Sequence, residues 1–391
     1  MTPFGDEQRR ALASLQSSYD QWVQAARELD DSYRGSLRWK FVGGKQYLYH
    51  RVSNTPLVDT SRGPRSKITE TLMIEFQRGK AQTGARHRAA MDQAATFAVM
   101  CRALKLALVP SQAARLLRHF DRKRMLGTNL LVVGTIAMSA YEVEAGCRIF
   151  QGFDATQDFD LAWRGIDPLQ LQTTGPVSLL GSLREVDPLY TKNTKRSFQA
   201  VSGNYEVEVL AAPSTLGSFP ENDLVPLSGM TEQEVLLLGK PVRHVISALD
   251  GTPAPITAPD PRWMALHKLW LSKKPARNAL KKPKDQAQGL LLMRAVISRM
   301  PHYPLDPEFL QSIPDDLLPH LMPALDWVNA NQTAPAQQDE FTIAPPKPKE
   351  ILRMMKKSQR DVLNVVPAMR LRFDTNYDAP MQAAAKRRLR Y

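Results

Sequence analysis

The spacing of apolar positions sorts the chain into helical and extended stretches. Leu12, Leu15, Tyr19, Trp22 and Val23 form one stripe, which predicts an amphipathic helix over residues 6–33. SLRWKFVGGKQYLYHRV, residues 36–52, alternates apolar and polar positions around Gly43-Gly44. Paired glycines permit the positive φ angles of a tight turn, so this stretch predicts a hairpin, followed by a basic loop, TSRGPRSK, at 60–67. Helices are expected over 68–105 and 111–122, the second opening after Pro110 with Ser111 as its cap. The pattern then shortens. LLVVG at 130–134 reads as a buried strand, IAMSAYEVEAG at 136–146 as a helix ending on glycine, and CRIFQG and ATQDFDLAW as further strands. After a helical interval, KRSFQAV and YEVEVLA predict a hairpin around Gly203-Asn204. From about 260 the helical period returns, in PRWMALHKLWLS, DQAQGLLLMRAVISRM and two short segments within 306–329. Residues 331–350 are rich in Pro, Gln and Ala and read as a linker to a basic tail ending KRRLR. The predicted class is α/β (α+β), a small mixed sheet flanked by N-terminal and C-terminal helical regions.

Composition adds little to the fold and more to the partner. Hydrophobic residues at 43% and charged residues at 23% are ordinary for a globular chain of 391 residues. Lys and Arg outnumber Asp and Glu by 52 to 39, a net charge of +13 that favours polyanionic partners. Cys101 and Cys147 are the two cysteines and lack metal or redox spacing, which argues against a disulfide framework or a structural zinc site. The longest apolar run, near 130–138, is too short to span a bilayer, and the first residues are too charged for a signal peptide. A cytoplasmic protein without a membrane partner is expected.

The candidate chemistry lies in ATQDFDLAW. On a strand, residues two apart share a face, so Asp158 and Asp160 project together while Phe159 and Leu161 face the other way. Two like charges side by side repel unless a cation joins them, and paired carboxylates suit Mg²⁺. YEVEVL supplies a third carboxylate, since Glu206 and Glu208 share a face between valines. Upstream, strand, Gly134, Thr135 and helix follow in order, a turn suited to receiving phosphate. The stretch SKKPARNALKKPK, 272–284, and the terminal KRRLR are further basic segments able to contact the phosphates of a polyanion. His267 reads as structural, and Glu142 has no evident chemical role.

VVGTIAMSAYE followed by TQDFDL resembles the G-[GS]…Dx[DE] signature of the DNA-polymerase-β-like nucleotidyltransferase superfamily. More narrowly it is similar to a bacterial nucleotidyltransferase-fold family, related to abortive-infection-type nucleotidyltransferases, with further likeness in YRGSLRWK, YLYH, GPRSKITET, PAPITAP…ALHKLW and KPKDQAQ. The resemblance implies a catalytic core at 126–255, after an N-terminal helical region with a hairpin (1–125) and before a C-terminal helical domain (256–330), with 331–391 outside it. It makes Asp158, Asp160 and Glu208 the catalytic and metal-binding carboxylates, for two Mg²⁺ ions with Mn²⁺ as the alternative. Gly134, Thr135 and Ser139 become the triphosphate-contacting positions, and Lys268, Lys284 and Asp285 the nucleotide-binding positions beyond the core. Thr135 stands where Ser is usual and Glu208 where Asp is commoner. The implied reaction moves a nucleoside monophosphate from an NTP such as ATP to a hydroxyl of RNA, protein or a small molecule, in a toxin or phage-defence setting. The alternatives are a nucleotide- or nucleic-acid-binding protein of the same fold without turnover, and an interaction protein working through its basic tail.

Overall fold

The computed structural model describes residues 1–54, 57–106, 108–150, 158–165, 178–228, 231–331 and 343–365. Its N-terminal part holds β1 (Thr2–Pro3), α1 (Asp6–Asp31), β2 (Ser36–Val42), β3 (Lys45–Asn54), β4 (Leu57–Pro64) and α2 (Lys67–Ala103). The expected stripe of α1 is buried through Leu12, Leu15, Tyr19 and Val23. It packs antiparallel on the second half of α2: Gln8 bonds the Leu104 carbonyl, and Glu28 bonds Thr83 and Arg86. The first turns of α2, opened by the Ser66 cap, extend beyond α1 and support a sheet ordered β2-β3-β4. The stretch expected as a basic loop is therefore in part a third strand, because β4 pairs antiparallel with β3. Asp59 on β4 ties it across the sheet to Arg38, Lys40 and Arg51.

The central elements are β5 (Leu108–Val109), α3 (Ser111–Arg122), β6 (Leu130–Val132), α4 (Met138–Glu144), β7 (Cys147–Arg148), β8 (Asp158–Trp163), α5 (Leu179–Val186), β9 (Thr191–Lys192), β10 (Gln199–Ser202), β11 (Tyr205–Ala211) and α6 (Pro213–Leu216). Five strands form a mixed sheet ordered β6-β8-β11-β10-β9, in which β8 and β11 run parallel and the other neighbours antiparallel. A 3₁₀ helix (Thr231–Leu237) leads to β12 (Val242–Ala248) and β13 (Pro253–Ala258). With β5 these form a second sheet that the sequence pattern did not predict. The prolines of PAPITA are accommodated because β13 lies at the sheet edge, where a missing N–H leaves no ladder bond unmade.

The C-terminal part contains α7 (Pro261–Lys273), α8 (Lys282–Arg299), α9 (Pro307–Ser312), α10 (Leu318–Ala330), α11 (Pro348–Met354) and α12 (Lys357–Val365). Asp260 caps α7, its carboxylate accepting from the Arg262 N–H at 3.0 Å. Gly289 lets α8 approach α7, since a Cβ there would stand 2.7 Å from Leu269 Cγ. Within the segment read as linker and tail, α11 and α12 are docked: Ile351 and Met355 are buried, and the Gln359 amide donates to the Leu310 and Ile313 carbonyls. KRRLR lies outside the described residues, as do 151–157. One apolar cluster runs from Val109 to Met355, so the mixed sheet, the second sheet and the C-terminal helices share a core. The first helices meet it through a smaller cluster containing Leu15, Tyr19, Ala98 and Val245. Among the described residues no helix is long and apolar enough to cross a membrane.

Candidate functional site

The site is assembled on one face of the mixed sheet. In β8, Phe159 and Leu161 are fully buried while Asp158 and Asp160 stand partly open on the opposite face. β11 repeats this alternation, with Tyr205, Val207 and Val209 buried and Glu206 and Glu208 partly open. The parallel register sets Glu206 opposite Asp158 and Glu208 opposite Asp160. Directly paired residues share a face, so four carboxylates project from two neighbouring strands. On the next strand Gln199, paired with Glu208 and fully buried, donates its amide to Glu206 Oε2 at 3.1 Å and to Glu208 Oε1. Asn193 in turn donates to Gln199 Oε1 at 2.8 Å, which fixes the amide orientation.

The turn after β6 closes over Asp160. The Val133 N–H donates to the Asp160 carbonyl at 3.0 Å, and Gly134 follows at φ +69°. A Cβ on residue 134 would stand 1.9 Å from Asp160 Oδ2, so only glycine fits between turn and carboxylate. Thr135 and Ser139 are both half-buried. The Thr135 carbonyl accepts from the Met138 N–H, and the Ser139 N–H donates to the Ile136 carbonyl. The helix expected over 136–146 begins two residues later, because residues 134–137 form a turn and α4 begins at Met138. With seven residues α4 has a small dipole, and the turn itself approaches the carboxylates. Tyr141 Oη donates to the Pro259 carbonyl at 2.9 Å, Glu144 bridges His244 and His302, and Glu142 accepts from the Ile149 and Phe150 N–H groups. Glu142 therefore acts as an anchor for the chain leaving β7.

Basic side chains come from α7, α8 and their connection. Lys281 Nζ lies 3.2 Å from Asp158 Oδ2. Lys268 is buried, 3.0 Å from Asp285 Oδ1, and Arg277 Nε lies 2.7 Å from Asp285 Oδ2. Lys268 and Asp285, expected at the nucleotide, pair with each other, and Arg277 shares the same carboxylate. Burial disfavours the Asp285 anion, yet Lys268 and Arg277 outweigh it and hold the carboxyl below its usual range. Burial, joined by the charges of Lys268 and Lys281, lowers the Lys284 ammonium against the pull of Asp285 and Asp160. Burial pushes Asp160 up to about 7, with Glu208 and Asp158 adding to the shift and Lys268 and Lys281 opposing it. His267 is pushed down to about 3 by burial, with the Lys268 charge adding, so it is neutral, as its structural reading requires.

This crowding is the test of fit for a divalent cation. Burial and the neighbouring Glu208 and Asp158 disfavour the Asp160 anion more than Lys268 and Lys281 favour it, and a cation beside Asp158 and Asp160 would offset that repulsion. Among the described residues no three acidic, histidine or cysteine groups already converge on one point. Asp158 and Asp160 are thus a pair of carboxylates, the number by which Mg²⁺ is commonly held when waters and phosphates complete its shell, and Glu206 and Glu208 do not join them in a ready-made cluster. A separate cavity of about 410 Å³, lined by Arg9, Gln16, Glu144, His244 and Arg299 among others, takes no residue from β8 or β11.

Gln199 and Lys281 are the site residues that sequence reasoning missed. Lys281 belonged to a basic stretch visible as such, whereas no local signal marks Gln199, whose place follows from strand register.

A model of a nucleotidyltransferase family matches residues 111–313, just over half of the chain, and covers β6, β8, β11, α7 and α8. Comparison with curated proteins and with solved structures gave no match. A nucleotidyltransferase moves a nucleoside monophosphate from an NTP to an acceptor. The chain belongs to the nucleotidyltransferase family.

Proposed function

We propose that this protein transfers a nucleoside monophosphate from an NTP to a hydroxyl at the 3′ end of an RNA such as tRNA, with Mg²⁺ as cofactor. The observation that carries the reading is the pairing of Asp160 with Glu208, with Asp158 and Glu206 alongside and Gly134 seated against Asp160. Asp158 and Asp160 hold the cation, and Glu208 is the third carboxylate. A divalent cation bound by them would supply Lewis-acid polarisation of phosphate and charge for the leaving pyrophosphate. The turn at Gly134, Thr135 and Ser139 admits the triphosphate, and Lys281 and Lys284 meet its charge. Lys281 then exchanges Asp158 for phosphate, while Lys268 and Asp285 hold α7 and α8 in place. Glu208, oriented by Gln199, accepts the proton of the attacking hydroxyl. The net charge of +13 supports a polyanionic acceptor, and a toxin or phage-defence role rests on resemblance to abortive-infection-type enzymes.

The hydrogen bond from Gln199 to Glu208 favours a second reading, a nucleotide-binding protein without turnover, because it draws one carboxylate oxygen toward β10. One experiment separates the two. The protein is incubated with each α-labelled NTP, Mg²⁺ and total RNA or protein, and wild type is compared with Asp158→Ala/Asp160→Ala. Label reaching RNA with wild type alone supports the proposal; equal transfer by both proteins overturns the assigned site, and nucleotide binding without transfer selects the second reading.

A further inference from the structure

The strands β2-β3-β4 form a sheet separate from the one that carries the acidic residues, and they are rich in basic residues. Residues 34–67 carry eight Lys and Arg against one acidic residue, Asp59, which is seven of the thirteen excess positive charges. Strand register decides where they go. Leu48 is fully buried, and His50 on the same face stacks edge-on against Phe76 of α2 at 5.8 Å, so that face is the packed one. The opposite face presents Arg38 and Lys40 from β2, paired with Tyr49 and Tyr47 of β3, together with Lys45 and Arg51. Two tyrosine rings thus lie among four cations, and Lys40 Nζ sits 4.6 Å from the Tyr49 ring centroid.

Asp59 shapes this face without cancelling it. It takes Arg38, Lys40 and Arg51 into one ion-paired group, and those bonds, the one from Lys40 foremost, hold its carboxyl below the usual range. Three long side chains are thereby fixed beside the tyrosines, and Lys45 is exposed at the turn. Aromatic rings for bases with fixed cations for phosphates are what a single strand requires, whereas a duplex hides its base faces.

From this we infer that the outer face of β2-β3-β4 binds single-stranded RNA, stacking bases on Tyr47 and Tyr49 and pairing phosphates with Arg38, Lys40, Lys45 and Arg51. The choice of RNA rests on the acceptor proposed above; the face itself is argued from geometry and charge alone. The face would then hold the acceptor strand on an element separate from the chemistry.

The test is fluorescence anisotropy with a short labelled single-stranded RNA, using the full chain and confirming by circular dichroism that each variant is folded. Tyr47→Ala/Tyr49→Ala is expected to weaken binding by about tenfold or more, from the loss of stacking. Tyr47→Phe/Tyr49→Phe keeps the rings and is expected to bind like wild type. Lys40→Ala/Lys45→Ala is expected to flatten the salt dependence by roughly one unit of slope per lost phosphate contact. Asp158→Ala/Asp160→Ala is expected to bind like wild type, so failure of the proposed transfer reaction leaves this result readable. Undiminished binding by the Tyr→Ala pair overturns the inference. Equal competition by duplex RNA or by single-stranded DNA of the same sequence overturns it too, as does self-association through this face in place of RNA binding.

Discussion

Gly134 and Asp160 are fitted to each other: the turn passes so close to the carboxylate that a Cβ on residue 134 would stand 1.9 Å from Oδ2, at a φ of +69° that side-chain-bearing residues rarely adopt. Gly134→Ala therefore has to move either the turn or Asp160. The strain costs about 1 kcal/mol and the displaced carboxylate about a hundredfold in nucleotidyl transfer. Single-turnover rates and urea unfolding measure the two effects; a variant with wild-type rate would show that Asp160 is not the working carboxylate.

Asp160 is crowded by Glu208 and Asp158 on a face with limited compensation. Asp160→Asn removes one charge and keeps the shape. In the absence of divalent cations it is expected to raise unfolding stability by on the order of 1 kcal/mol or more while abolishing transfer. Mg²⁺ is expected to raise the melting temperature of wild type and leave that of the variant unchanged, because a ligand stabilises only the state that binds it. Equal shifts in both proteins would show that the cation binds elsewhere.

Lys268 and Asp285 form a buried pair joining α7 to α8. Lys268→Met leaves Asp285 with Arg277 as its remaining cation and is expected to destabilise the fold by about 3 kcal/mol. Lys268→Met/Asp285→Leu is expected to recover part of that loss, since the carboxylate is removed with its ammonium while Arg277, which is partly exposed, loses its partner. Chemical denaturation of both variants decides: if the double variant were no more stable than the single one, the loss would not come from an uncompensated charge.

His267 and His320 are buried, and burial pushes them down to about 3 and about 4. Between those values and about 6.5, the unfolded chain takes up protons that the folded chain refuses, so stability falls as pH drops through this window. The expected loss on going from pH 7 to pH 5 is about 1–2 kcal/mol for each histidine. Denaturation midpoints of wild type and His267→Gln/His320→Gln at both pH values measure it, the variant showing the smaller drop.

The acidic strands were legible because their period is local. DFDLAW and YEVEVLA each alternate carboxylate and apolar side chains, and a strand turns that order into two faces wherever it lies. Helices α1, α2, α3, α7 and α8 followed from apolar spacing for the same reason. β12 and β13 did not: prolines weigh against a strand in PAPITA until an edge position accommodates them, and β12 is placed by its pairing to β13 and β5. TSRGPRSK read as loop because it is basic and contains Gly and Pro; the pairing of β4 to β3, with a register shift between Leu48 and Tyr49, is a tertiary relation the local pattern does not carry.

The sequence by itself determined which side chains share a face and that one face is acidic, because that information lies within two to four residues of each position. Only the tertiary structure decided that Glu208 stands opposite Asp160, that Gln199 orients it, that Lys281 reaches Asp158 across 123 residues of chain, and that Lys268 is spent on Asp285. Those relations depend on strand order and helix packing, which are fixed by burial of the whole core from Val109 to Met355 rather than by any local pattern.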